Sequence, residues 1–252
     1  GASAGFACTR IGSAVVLSSS AARSSVLFNR VLGLGLREPA DEALLDEIQC
    51  VYSRLGVPWA IEWSAGAAPQ TFPALLKERG MRRGLGTAIL IRSCVELPDV
   101  ESTLRIERVG PEFGKAFAAI VAPIFRVDPT VKPLLELAAT RPGYRQWLAF
   151  DGNEPIGGCL SHIQQDAAWL GWSATMPSHR GRGVHAALVS ASMHDAFEHG
   201  CGWITAETAL GTQSRPDPAY LSFLKLGFQH ACTKDTYFQL SRRGVEHCPR
   251  RF

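Results

Sequence analysis

The run His179-Arg180-Gly181-Arg182-Gly183-Val184-His185-Ala186 sets two glycines among two arginines, after an apolar stretch and before a helix-like one. Glycine lets a backbone curl through left-handed conformations and approach a ligand closely. The first N–H groups of a helix have no intrahelical acceptor, and the peptide dipoles leave that end partly positive. Strand, basic glycine loop and helix together make an anion cradle, whose expected guest is a phosphate or pyrophosphate. The spacing is neither Gly-x-Gly-x-x-Gly nor a loop ending in Gly-Lys-Ser/Thr, so nicotinamide and nucleoside-triphosphate chemistry lose their usual sequence support. A metal centre is not expected either. His194 and Glu198 share a helical face without a third ligand, and solvated residues answering a helix dipole account for them and for His199.

Such a loop works only if a strand delivers it and a helix follows. Apolar residues mark a strand over 168–176, and Val184, Ala187, Leu188 and Ala191 recur at helical spacing until Gly200 supplies a stop. Upstream, the pattern predicts a strand over 104–109, helices over 112–125 and 130–140, and strands over 147–150 and 155–163. Polar turns at Asp151-Gly152-Asn153 and Gln164-Gln165-Asp166 separate the three central strands. Downstream, it predicts a strand over 203–208, a short helix over 218–226 and a final pair of strands within 228–240. The fold class is α/β (α+β), a mixed sheet with flanking helices.

Composition bounds the rest. At 252 residues, 46% hydrophobic and 19% charged, the chain is globular and long enough for one large or two modest domains. A net charge of +3 argues for no nucleic acid partner, though it suits a polyanionic ligand. The arginines at 242, 243, 250 and 251 read as a solvated basic tail. Seven scattered cysteines, none in a Cys-x-x-Cys pair, read as reduced thiols. The apolar runs, 116–125 among them, are shorter than the roughly twenty residues a membrane helix needs. Residues 1–9 show no secretory signal, so the expectation is a cytoplasmic protein without a membrane partner.

Arg180-Gly-Arg-Gly183-Val184-His185 resembles the Arg/Gln-x-x-Gly-x-Gly/Ala loop of the GNAT acyltransferases, departing from it only at the sixth position, where His185 stands for a small residue. Leu224-Lys225-Leu226-Gly227-Phe228 resembles the family's Lys-x-Gly-Phe helix-to-strand signature, and the order of elements over 104–240 is the GNAT order. The resemblance implies an acetyl-CoA-dependent N-acetyltransferase, with direct attack by an amine in a ternary complex. It implies that Arg180, Gly181, Arg182, Gly183, Val184, His185 and Ala186 hold the pyrophosphate of coenzyme A, and that Ser173, Ala174 and Thr175 pair with its pantetheine arm. Where relatives carry a Tyr as acid for the departing thiolate, this chain has Phe223, which has no proton to give. Tyr220, one helical turn earlier, is the replacement candidate or a ring capping the core; Tyr237 is a third choice. Glu207 is the candidate base, imagined buried beside the thioester with a raised pKa, or else a structural carboxylate. Asp217 reads as a helix cap, and His162 as a further pocket histidine. The expected partners are a small-molecule amine or other amino-group acceptor and, at most, a second copy of the chain in a homodimer. Two alternatives stand beside this reading: an inactive acyl-CoA-binding sensor, and an acyltransferase using a longer acyl-CoA.

The first hundred residues repeat part of the same rhythm: a strand over 28–36, a helix over 41–55, a strand over 59–63, a helix over 71–79 and a strand over 87–91. This half is similar to a degenerate GNAT domain, as in tandem members of the family, with its first elements shortened or missing. Only Arg37-Glu38-Pro39-Ala40 lies between its strand and helix, without glycines and with a repelling carboxylate, so it is expected to bind no coenzyme. The expected domains are 1–98, 99–241 and the tail 242–252, with the boundary near Leu97-Pro98-Asp99-Val100.

Overall fold

The computed structural model describes residues 5–23, 25–212 and 214–239. The expected basic tail lies outside them. The chain forms two compact units, the first running to Thr87 and resuming at Thr233, the second holding Ala88–Cys232. The division falls upstream of the proline link at 97–100 because Ala88 and Leu90 are buried with Leu170, Ile204 and Phe228 of the second unit. It falls short of 241 because Tyr237, near the carboxyl end, is buried with Trp59, Ile61 and Met81 of the first.

In the first unit, β1 (Phe6–Ile11) and β2 (Ala14–Ser19) form an antiparallel hairpin, and β3 (Arg30–Leu32) pairs antiparallel with β2. Helix α1 (Glu42–Leu55) then leads to β4 (Trp59–Ser64), parallel to β3, followed by α2 (Phe72–Glu78) and the short β5 (Arg82–Arg83). Asp41 caps α1 by accepting from Leu44 N at 2.8 Å, and Gly56, at φ 61°, closes its other end. Leu45, Ile48 and Tyr52 line its buried face. Two expectations change here. The hairpin of β1 and β2 supplies elements expected to be missing, and the strand expected over 28–36 ends at Leu32 because Gly33 and Gly35 take positive φ, 73° and 80°. The loop before α1 therefore does contain glycines.

The second unit opens with β6 (Thr87–Ser93) and β7 (Arg105–Val109), then α3 (Gly114–Ile124) and α4 (Lys132–Glu136). Next come β8 (Tyr144–Asp151), β9 (Glu154–Gln164), β10 (Ala167–Thr175), α5 (Val184–Glu198) and β11 (Trp203–Ala209). A minor hairpin of β12 (Gly211–Thr212) and β13 (Arg215–Pro216) precedes α6 (Pro218–Lys225) and β14 (Gln229–Gln239). The sheet runs β7-β8-β9-β10-β11-β6. Strands β7 to β10 are antiparallel neighbours, whereas β10 and β11 are parallel, as the crossover through α5 requires. The helices cover both faces: Gly157 lies under Val184 and Leu188 of α5, and Gly158 under Phe117 of α3. The expected final pair of strands is one strand, with no glycine or proline to turn it, and its residues from 233 pair with β4 and β5. The helix expected over 130–140 shortens to α4 and a 3-10 turn at Ala138–Thr140. Among the described residues Cys8, Cys94, Cys159, Cys201 and Cys232 are free thiols, while Cys50 is disulfide-bonded, against the expectation of reduced thiols throughout.

Candidate functional site

Strands β10 and β11 hold together only from Ala167↔Trp203 to Leu170↔Ala206. Beyond that point β10 slips register against β9 between Gly171 and Ala174, where Trp172 takes φ 52°, an uncommon conformation for a bulky residue. The edge of Phe125, just past α3, packs on the Trp172 ring at a centroid distance of 5.0 Å. After the bulge Ala174 and Thr175 keep their pairing to Gly158 and Gly157 of β9, so only the edge that faced β11 is released. A released strand edge offers alternating N–H and C=O groups to an extended, amide-bearing guest. Ser173 Oγ is buried at this bulge without a conventional partner; the Cys159 thiol beside it offers only a poor one.

The chain leaves β10 through a 3-10 turn at Pro177–His179, extends at Arg180, and turns through Gly181 and Gly183 at φ 76° and 77°. Nothing lies within 4 Å of a side chain built on either glycine, so conformation, not space, is what calls for glycine there. Gly183 is the N-cap of α5 and supplies no side-chain acceptor, and the first turn holds no acidic residue. The first bond into the helix is Ala187 N to Gly183 O at 3.0 Å, so the N–H groups of Val184, His185 and Ala186 precede it. An uncapped end on a 15-residue helix is a place an anion can occupy. The two arginines of the loop differ. Arg182 is tied to Asp151 at 2.8 Å, with His179 Nε2 3.6 Å from the same carboxylate oxygen. Arg180 instead borders a cavity of about 680 Å³ together with Met176, Pro177, Glu154 and the α3 residues Ile120 and Ile124.

His185 turns inward. Its Nδ1 shares a hydrogen bond of 2.9 Å with Ser222 Oγ on α6, its ring meets Phe223 edge-on at 5.1 Å, and its Nε2 is buried with no partner among the described residues. Burial lowers its pKa to about 4, with Asp217 opposing the shift. Asp217 caps α6 as expected, accepting from Ala219 N at 2.8 Å and Tyr220 N at 3.4 Å. Arg92 of β6 anchors the other end of α6 through the Leu226 carbonyl.

The catalytic candidates fare unevenly. Glu207 is the first residue of β11 beyond its last pair with β10, at the mouth of the split. It is exposed, which removes the expectation of a desolvated carboxyl: Ile204 and Ala206 take the buried face and alternation turns Glu207 to the other. Tyr220 is half-buried against the core, and its hydroxyl bonds His230 Nδ1 at 3.1 Å. Phe223 is fully inside that core. Tyr237 is buried in the core of the first unit. His162 lies toward the other end of β9 from the loop, its ring 4.3 Å from Tyr144 and its backbone opposite Trp169. Burial pushes the Cys159 thiol up to about 11, so it is no nucleophile. His194 bonds its own helix at Ser190 O, and among the described residues no group of three or more side chains could hold a metal. Sequence reasoning missed Trp172, Asp151 and Ser222. A polar residue next to Phe223 was a visible signal for Ser222; nothing local marked the bulge at Trp172.

The residues present suit a ligand with an anionic pyrophosphate and an amide-bearing arm: an uncapped helix end, a released strand edge, and a buried His185 Nε2 without a partner among the described residues. Residues 115–228 match the model of the acetyltransferase (GNAT) family. No curated protein matches the chain. Among solved structures, a GCN5-related N-acetyltransferase from Kribbella flavida is similar over 92% of this chain and 89% of its own, with TM-score 0.69 and 17% identity. One from Sphaerobacter thermophilus gives TM-score 0.69 at 14% identity, over 93% of this chain and 82% of its own. A tandem GNAT protein from the clavulanic acid biosynthesis pathway gives TM-score 0.62 at 15% identity, over 96% and 85%. At these identities the likeness is one of fold.

Proposed function

We propose that this chain, whose residues 115–228 carry a GNAT acetyltransferase domain, is an acetyl-CoA-dependent N-acetyltransferase that moves an acetyl group to a primary amine by direct attack in a ternary complex. The observation that carries the proposal is the pairing of the uncapped end of α5 with the split between β10 and β11. In this reading the N–H groups of Val184, His185 and Ala186, with Gly181, Gly183 and the side chains of Arg180 and Arg182, hold the pyrophosphate. Ser173, Ala174 and Thr175 pair along the pantetheine arm, which brings the thioester toward the vertex near Leu170 and Ala206. Acetyl-CoA supplies the activated acyl group. Glu207 accepts the ammonium proton, directly or through water, and the neutral amine attacks the carbonyl carbon. When the C–S bond breaks, its electron pair stays on sulfur; Tyr220 is the hydroxyl assigned to protonate it, and the proton the attacking nitrogen then sheds restores that hydroxyl. The acceptor is a small-molecule amine or other amino group. Among the described residues no helix is long and apolar enough to cross a membrane.

Thiol release from acetyl-CoA across a panel of amines tests the reading. Turnover that falls about 10²–10⁴-fold in Glu207→Gln supports the base assignment. A second reading has its own observation: Phe223 is a buried ring at the acid's address, and the Tyr220 hydroxyl is already engaged by His230. Coenzyme binding without turnover on any amine identifies the chain as an acyl-CoA sensor instead. Because the cradle touches only phosphates, longer acyl-CoA donors belong in the same panel.

A further inference from the structure

We propose that the His185 side chain is itself a coenzyme-binding group, its Nε2–H donating to an oxygen of the bound coenzyme between the pyrophosphate and the pantetheine amides. This rests on the coenzyme reading above and adds to it a side-chain donor in a seat otherwise built from backbone and arginine. Position comes first: His185 is the second residue of α5, inside the turn whose N–H groups precede the first helical bond. The ring is held rather than free, tied at Nδ1 to Ser222 Oγ and braced edge-on by Phe223, which is itself braced by Phe228 at 5.0 Å. In the proposed tautomer the Ser222 hydroxyl donates to Nδ1 and the ring proton sits on Nε2. Nε2 is then a buried donor with no acceptor among the described residues, and a buried donor left unmade is costly enough that native structures seldom keep one. The positive end of α5 favours an acceptor carrying negative charge, and the opposing Asp217 carboxylate is committed to capping α6. The lowered pKa agrees with a neutral ring that donates through one nitrogen only.

Calorimetric titration of the full chain with coenzyme A, together with ¹⁵N spectra of the histidine rings, tests this. The Gln side chain places an amide N–H near the Nε2 position, whereas Asn places one near Nδ1. His185→Gln is therefore expected to bind coenzyme A within about threefold of wild type, while His185→Asn and His185→Ala lose about tenfold, as one hydrogen bond to a charged group predicts. In the wild type the ring is expected to show the Nε2–H tautomer, with the Nε2 signal moving when coenzyme A is added. Ser222→Ala is expected to mix the tautomers and weaken binding without unfolding the chain. Unchanged affinity in His185→Ala, an equal loss in the Gln and Asn variants, or an unmoved Nε2 signal in a chain that binds coenzyme A overturns the assignment. Failure of the wild type to bind coenzyme A at all removes the coenzyme reading first and is distinguishable from these.

Discussion

Burial holds the His185 ring neutral, with a pKa lowered to about 4, and that has a consequence for stability. Between pH 6.5 and 4 the unfolded chain binds a proton at this position that the folded chain does not, so stability falls as pH drops through that window and levels off below it. The expected loss is on the order of 3 kcal/mol, and His185→Gln removes it, so thermal unfolding of the two proteins at pH 7 and pH 4.5 should diverge on the acid side. Gly183 gives a second outcome at this scale. A side chain there meets open space but must adopt φ 77°, so Gly183→Ala is expected to cost about 1–2 kcal/mol through backbone strain alone, a fall in Tm of about 2–8 °C. The types and spacing of residues 180–186 made this turn legible, because glycine and arginine have few better reasons to alternate before a helix. Glu207 was legible as a position and misread as an environment. Alternation along β11 decides which face a residue takes, but only the packing of α5 says which face is covered.

Elements differ in how they end, and here that difference is chemical. Helix α5 begins at a glycine with no side-chain cap, so its end is available to an anion; α1 begins at Asp41, whose carboxylate already occupies that place, with Glu42 in the turn behind it. The helices of the second unit show how tightly an element can be specified. Gly114, at the start of α3, sits against the Glu136 carbonyl at the end of α4, so that a methyl group there collides with backbone rather than with a movable side chain. Gly114→Ala is therefore expected to push α3 and α4 apart at a cost of about 1–3 kcal/mol, read as a lower midpoint in urea with little change in slope. Long periodic elements such as α1, α5 and the three central strands could be drawn from the pattern alone. The hairpin at β1 and β2 could not, because its outward strand is exposed nearly throughout and shows no apolar alternation. Nor could the single long β14, whose two halves belong to different units.

Across the whole chain, the two units repeat one connectivity: two antiparallel strands, a third strand, a helix, a parallel strand and a second short helix. Among its described residues the first unit shows no counterpart of β7, α3 and α4, and its α1 is capped. Its loop does carry Gly33 and Gly35, so the reason it makes no anion seat is not the absence of glycine. Ala40 N already bonds Ala68 O at 2.7 Å, Asp41 caps α1, and Glu38 accepts from Ser13 N at the same loop. Titration of the full chain is therefore expected to give one coenzyme A per chain, with no second, weaker site appearing when the first is abolished; a stoichiometry of two contradicts this directly. By itself the sequence determined the class of fold and the place of the glycine turn before α5, because these depend on local chemistry: periodicity, glycine and charge within a few residues of each other. Only the tertiary structure decided that Glu207 is exposed, that Tyr237 is buried in the core of the first unit, that His162 lies toward the other end of β9 from the loop, that His185 meets Ser222, and that β10 and β11 part after Leu170. Each of those depends on which distant element packs where, and no local pattern carries that information.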